Sequence, residues 1–239
     1  MEHKSPLHQF TIEPLLSFKL GGIDLSFSNS ALFMVVAAVV VSSLMVAAAR
    51  QSQLIPGRVQ AIAEMLHGFV FDMVKDNAGP KAMVWFPLVF TLFSFILAGN
   101  MIGMIPFTFT FTSHIIVTFA LAMTVFVAVT ILGFVKHGFH FFAAFFPPGA
   151  PVLLAPLIIP IEILSYLSRP VSLSIRLFAN MMAGHTMLKV FGGFAVMLGI
   201  FGIAPLAIII ALTGFEVLVA FLQAYVFSVL TCIYLRNAI

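Results

Sequence analysis

Five apolar runs, at about 31–49, 82–106, 115–135, 157–192 and 203–235, alternate with shorter polar stretches along this chain. A helix that crosses the hydrocarbon of a bilayer needs about 20 predominantly apolar residues. Each run is long enough, so the pattern predicts about five membrane-embedded helices and an all-α integral membrane fold.

One segment between the first two runs has a different rhythm. In IPGRVQAIAEMLHGFVFDMVKDN, residues 55–77, Val59, Ile62, Leu66, Phe69 and Met73 recur at steps of three and four, while Arg58, Glu64, Asp72, Lys75 and Asp76 carry charge. Apolar positions at helical spacing beside charged ones predict an amphipathic helix lying in the membrane interface. The stretch HGFHFFAAFFPPGAP, residues 137–151, is aromatic and proline-rich and suits a turn at headgroup level.

The last two runs are too long to stand upright. At 1.5 Å per residue, Ile161 to Phe191 extends about 46 Å and Ile203 to Arg236 about 51 Å, against a hydrocarbon thickness of about 30 Å. Continuous helices of that length must tilt steeply, unless Pro170 or the glycines at 184, 192, 193, 199 and 202 break them. The expected arrangement is a steeply tilted antiparallel hairpin over residues 157–236, with its turn near Gly199 to Gly202.

Composition agrees with the pattern. The 239 residues are 62% hydrophobic and 8% charged, whereas soluble domains hold about 45–50% apolar and about 25% charged residues. The net charge of +3 is small and dispersed, with no basic run to engage nucleic acid. A single cysteine, Cys232, forms no internal disulfide. Residues 1–30 read as a retained polar leader without a signal-peptide pattern. No internal repeat or linker divides the chain, which is expected to form one integral membrane domain over residues 1–239.

Cationic residues orient the helices. With five spans, Arg50, Arg58, Lys75, Lys81, Lys136 and Arg236 fall on one side and Lys4, Lys19 and Lys189 on the other. The excess marks the cytoplasmic or matrix side, where the C-terminus is expected.

Polar groups inside the last two runs carry the candidate chemistry. Arg176 lies in SLSIRLFANMMAGH, residues 172–185, with apolar-rich helix on both sides and no route for its side chain to an interface. An arginine at bilayer depth costs about 2.5–3.5 kcal/mol on insertion scales, so such a residue points to function. At 100° per residue, Glu162, Arg169, Ser172 and Asn180 all fall within about 40° of Arg176 around the axis and form one polar stripe. Glu216 and Gln223, seven apart, form a second stripe on the last helix. Two facing polar stripes in a membrane predict an ion path. Arg169 precedes Pro170 and is expected to snorkel to the interface, and Ser165, Ser172 and Ser174 also suit bonds to backbone carbonyls or between helices.

PVSLSIRLFANMMAGH, residues 170–185, and FEVLVAFLQAYVFSVLTCIYL, residues 215–235, closely resemble the two signature helices of subunit a of the F-type ATP synthase membrane sector. The opening PLHQFTIEPL and the order of the helices are similar too, so the resemblance covers essentially the whole chain, in an alphaproteobacterial or mitochondrial-like form. It implies a stator subunit that works with a c-subunit ring, peripheral-stalk b subunits and the remaining F1Fo subunits, in a lipid bilayer, to move H+. Two offset half-channels would reach the ring carboxylates from opposite sides. Arg176 matches the essential arginine of the family, Asn180 the asparagine after it, Gln223 the glutamine near the arginine, and Glu162 the carboxylate of the cytoplasmic-side channel. A bacterial inner membrane is the expected location, with the mitochondrial inner membrane as the alternative.

The physical chemistry supports those roles. A guanidinium keeps its proton in proteins, so it attracts a carboxylate without relaying a proton. That makes Arg176 a barrier between half-channels. His185 and Glu216 are the relay candidates for the inlet, because histidine titrates near neutrality and burial can bring a carboxylate into the same range. If Arg176 faces Gln223 across the hairpin, paired numbers sum to about 399 and Glu216 falls within two residues of His185. His185, nine residues from Arg176, points half a turn away from it. Either the helix unwinds near Gly184, or the channel flanks the hairpin. His114, ahead of the fourth helix, is a candidate for the channel mouth.

Other classes fit less well. A secondary transporter usually shows internal repeats, and a haem carrier needs axial histidines at mid-membrane depth, where His185 stands alone. His137 and His140 lack further ligands nearby, so neither a metal nor another cofactor is expected. The chain has no phosphate-binding loop, which leaves ATP chemistry to other subunits.

Overall fold

The computed structural model describes residues 11–12, 14–16, 19–20, 23–24, 26–50, 53, 55–105, 108–138 and 155–239. Six α-helices dominate them: α1 (Asn29–Arg50), α2 (Arg58–Ala78), α3 (Phe86–Gly103), α4 (Ile115–His137), α5 (Ala155–Met197) and α6 (Ile203–Ala238). Five of these, all but α2, belong to segments long and apolar enough to cross a membrane. Short 3-10 helices over Pro80–Trp85, Phe111–Ser113 and Gly199–Gly202 complete the order.

The described part of the expected leader carries short strands with no counterpart in the sequence reading. β1 (Pro14–Leu16) pairs antiparallel with β4 (Phe27–Ser28), and β2 (Lys19–Leu20) with β3 (Ile23–Asp24). Strands of two or three residues are too short to leave an alternating signature. Residues 1–10 and the aromatic turn beyond Gly138, with His140, lie outside the described residues.

The last two runs form the expected hairpin. Helix α5 continues for 43 residues through Pro160 and Pro170, which end no helix here although each removes one helical N–H. Its length of about 65 Å and the 36 residues and about 54 Å of α6 both far exceed a hydrocarbon core of about 30 Å. The chain reverses at Gly199–Gly202. Gly199 has a φ of +56°, a left-handed conformation that favours glycine. Gly202 lies so close to the Ala195 carbonyl that a side chain there would collide with it.

Helix α2 exists as expected, but its buried face is turned from the predicted stripe. Ala63, Val70, Met73 and Val74 are buried, whereas Val59 and Ile62 are exposed. The face that packs against α1, α3 and α6 holds Ala63, Val70, Met73 and Val74, of which only Met73 belongs to the predicted stripe, and Val59 and Ile62 are left uncovered. His67, with no partner evident in the sequence, sits among Phe71, Phe86 and Phe90, its ring centroid 4.8 Å from that of Phe86.

The core joins α2, α3, α4, α5 and α6 through Val70, Val89, Phe93, Val125, Leu177 and Phe227. Hydroxyl pairs tie α4 to α5 at two heights: Thr118 Oγ1 lies 3.1 Å from Ser174 Oγ, and Thr130 Oγ1 lies 2.7 Å from the Tyr166 hydroxyl. Buried Ser174 thus has the helix-joining role expected of it. Asn100 on α3 donates from Nδ2 to the Ala220 carbonyl of α6 at 3.1 Å.

Candidate functional site

Helix α5 presents two chemically different sides. Leu173, Ser174, Leu177 and Met181 are buried against the rest of the molecule, while Ser172, Arg176 and Asn180, spaced four apart, are exposed. Residues at i, i+4 and i+8 share a helix face, so the guanidinium sits in the middle of an outward polar stripe. Arg176 makes no hydrogen bond or ion pair among the described residues. Glu162, half-buried, lies 14 residues toward the N-terminal end of α5, about 21 Å away along the axis.

The two stripes read from the sequence do not face each other in the way expected. Glu216 is buried, and its carboxylate lies against Gly184 and His185, which stand about 80° and 180° round α5 from Arg176. Gln223 is half-buried on α6 and shares no hydrogen bond with Arg176 among the described residues.

His185 and Glu216 do come together. His185 Nδ1 lies 3.4 Å from Glu216 Oε1, an ion-pair distance, and the two side chains are 12% and 4% exposed. Their numbers sum to 401, two from the register expected by pairing Arg176 with Gln223. Helix α5 is unbroken at Gly184, so local unwinding does not turn His185. His185 looks away from the Arg176 stripe toward the segment that joins α3 to α4.

That segment supplies residues the sequence reading passed over. Thr110 Oγ1 lies 3.1 Å from His185 Nε2 and donates to the Gly103 carbonyl at 3.2 Å. Thr112 and Ser113 are buried, and their hydroxyls find no hydrogen-bond partner among the described residues. His114 caps the start of α4 with its ring stacked on Phe109, centroids 5.0 Å apart, and burial lowers its pKa below the usual histidine value. It lies one turn of chain from Thr110, at the same end of the molecule as the His185–Glu216 pair.

Gly184 makes the pair possible. A Cβ there would come within 2.6 Å of Glu216 Oε1 and 2.9 Å of Cδ. Substitution by alanine is expected to push the carboxylate out of reach of His185, at a cost of about 1–3 kcal/mol for the lost buried polar contact. The check is the thermal unfolding midpoint of the Gly184→Ala variant; an unchanged midpoint would show that the carboxylate does not need this notch.

Arg169 sits differently from Arg176. Its guanidinium lies 5.1 Å from the Tyr166 ring centroid and 5.4 Å from that of Tyr234, an aromatic cradle suited to a cation. The expected snorkelling arginine is thus held by rings on α5 and α6.

The chain matches the ATP synthase A chain family over residues 31–236. It is 55% identical to the ATP synthase subunit a of Rhodospirillum rubrum over 236 residues, covering 98% of both chains. It is 54% identical to that of Pelagibacter ubique, covering 98% of this chain and 97% of that protein. The subunit a of Parvibaculum lavamentivorans is 53% identical, with 98% and 93% covered. With a match this long, and with the five spanning-length helices and the α5–α6 hairpin described above, the chain belongs to the ATP synthase A chain family.

Proposed function

We propose that this chain is the proton-translocating stator subunit of an F1Fo ATP synthase, and that the Ser172–Arg176–Asn180 face of α5 bears on a ring of c subunits. The observation that carries this reading is the exposure of Arg176 on a spanning helix, with no hydrogen-bond or ion-pair partner among the described residues. Exposure of that charge to hydrocarbon is costly. A carboxylate on a neighbouring subunit removes the cost, and a ring of such carboxylates removes it repeatedly as the ring turns.

Two half-channels follow from the placement of the other groups. The His185–Glu216 pair, with His114 nearby, serves the non-cytoplasmic inlet. Glu162, toward the opposite end of α5, serves the cytoplasmic outlet. Ser172, Asn180 and Gln223 provide polar lining beside Arg176. A proton from the inlet protonates a ring carboxylate, which then leaves Arg176 as a neutral group and travels through lipid to the outlet. Arg176 blocks the direct route because it neither accepts nor releases a proton. The peripheral-stalk b subunits hold this chain against the ring, the bacterial inner membrane is its location, and the C-terminus is on the cytoplasmic side with Arg50, Lys75, Lys136 and Arg236.

Disulfide cross-linking tests the docking face. With Cys232 replaced by serine, Ala183→Cys on the Arg176 side is expected to cross-link to a cysteine placed near the carboxylate of a c subunit in the assembled complex. Val171→Cys, about 140° round the helix from Arg176, is not. Equal cross-linking from both positions would reject the proposed face.

A further inference from the structure

We infer that Thr110 is a positioning residue that sets the tautomer of His185; the inference rests on the proton-translocating role proposed above. A threonine hydroxyl has one hydrogen. The Gly103 carbonyl, 3.2 Å away, can only accept, and the inferred arrangement gives it that hydrogen. The hydroxyl oxygen, 3.1 Å from His185 Nε2, is then left as an acceptor. The Nε2 nitrogen must therefore carry the proton, and in the neutral ring the Nδ1 lone pair faces Glu216 Oε1 at 3.4 Å.

This arrangement decides how the pair handles a proton. The neutral ring can accept only at Nδ1, the nitrogen that faces the carboxyl group. A proton passing from the Glu216 carboxyl to Nδ1 leaves a carboxylate and an imidazolium, with the Nε2–H···Thr110 bond intact. Its return restores the neutral pair, and no other bond changes. The pair therefore exchanges one proton through one nitrogen, instead of passing protons through the ring from Nε2 to Nδ1.

The surroundings hold Thr110 in this role. Gly103 and Thr110 are packed so closely that a Cβ on Gly103 would lie 2.6 Å from the Thr110 hydroxyl oxygen. Thr110 is itself 6% exposed. Its hydroxyl is fixed against a carbonyl from the end of α3, so the donor direction is set by the backbone of another element.

The test uses the assembled complex in inverted membrane vesicles. Thr110→Val keeps the shape and removes the hydroxyl; it is expected to lower ATP-driven proton pumping about tenfold at equal complex content. Thr110→Ser is expected to recover most of the rate. Nitrogen-15 NMR of complex containing labelled histidine, with His185 assigned by difference against His185→Gln, is expected to show a protonated Nε2 in the parent. In Thr110→Val the proton is expected on Nδ1, where Glu216 can accept it. An unchanged tautomer in Thr110→Val overturns the assignment whatever the pumping rate. Equal loss in the valine and serine variants also overturns it and leaves Thr110 a packing role against Gly103. Glu216→Gln in the same membranes separates this from the wider reading: if that variant pumps normally, the proposed proton path fails, whereas normal pumping in Thr110→Val alone removes only the tautomer role.

Discussion

Arg176→Ala in the assembled complex is expected to lower ATP-driven proton pumping by about a hundredfold or more and to raise passive proton leak through the membrane sector. The magnitude is that of removing one fixed charge that stabilises a transient partner in a low-dielectric site. On the proposed function, loss of the guanidinium leaves a ring carboxylate between the half-channels with nothing to hold it ionised, and no cation to keep the two aqueous routes apart. Arg176→Lys separates the two effects. An ammonium can still attract a carboxylate, but in an apolar site it can lose its proton, so partial pumping with a raised leak is expected. Pumping and passive permeability, both at known membrane content of the complex, are the measurements. Normal pumping in both variants would reduce Arg176 to a structural charge.

Glu216→Gln is expected to lower pumping about a hundredfold while leaving the passive leak unchanged, because it keeps the size of the side chain and removes its exchangeable proton. The unchanged leak distinguishes a lost relay from a lost barrier. His185→Gln is expected to act similarly. The double variant should be little worse than either single one, since groups that work as a unit give strongly non-additive losses. If the two losses multiply, His185 and Glu216 act independently, and the 3.4 Å approach between them is not part of a shared path.

Much of the architecture could be read from residue order because it depends on length and apolar continuity. The spans, the hairpin and the turn at Gly199–Gly202 follow from runs far longer than a bilayer is thick and from glycines between them. The axial register of His185 and Glu216 also followed, because two antiparallel helices of equal rise share one pairing sum. What direction each side chain takes around its helix was less accessible. The stripe of Ser172, Arg176 and Asn180 is legible from its spacing, but not that it faces outward, nor that Glu216 lies to its side against Gly184.

The contribution of the α3–α4 segment was hidden for a different reason. Thr110 touches His185 across a separation of 75 residues, and nothing in the local pattern of FTFTFTSH marks one hydroxyl over another. Asn100 had a signal, a lone amide inside the apolar run ILAGNMIG. A lone amide in the second apolar run is legible in the sequence, although its bond to the Ala220 carbonyl is not.

The Thr118–Ser174 contact acquires a mechanical meaning when set beside Arg176. Ser174 is two residues from Arg176 and about 160° round the helix, so it stands almost directly behind the guanidinium. If the proposed ring of c subunits slides past Arg176, it pulls α5 sideways, and a lone helix would bow under that load. The hydroxyl brace, repeated one level away by Thr130 and Tyr166, passes the lateral force into α4. Under the proposed function, the same helix could then exchange charge on its front while anchored from its back, with the load at one residue borne by two helices.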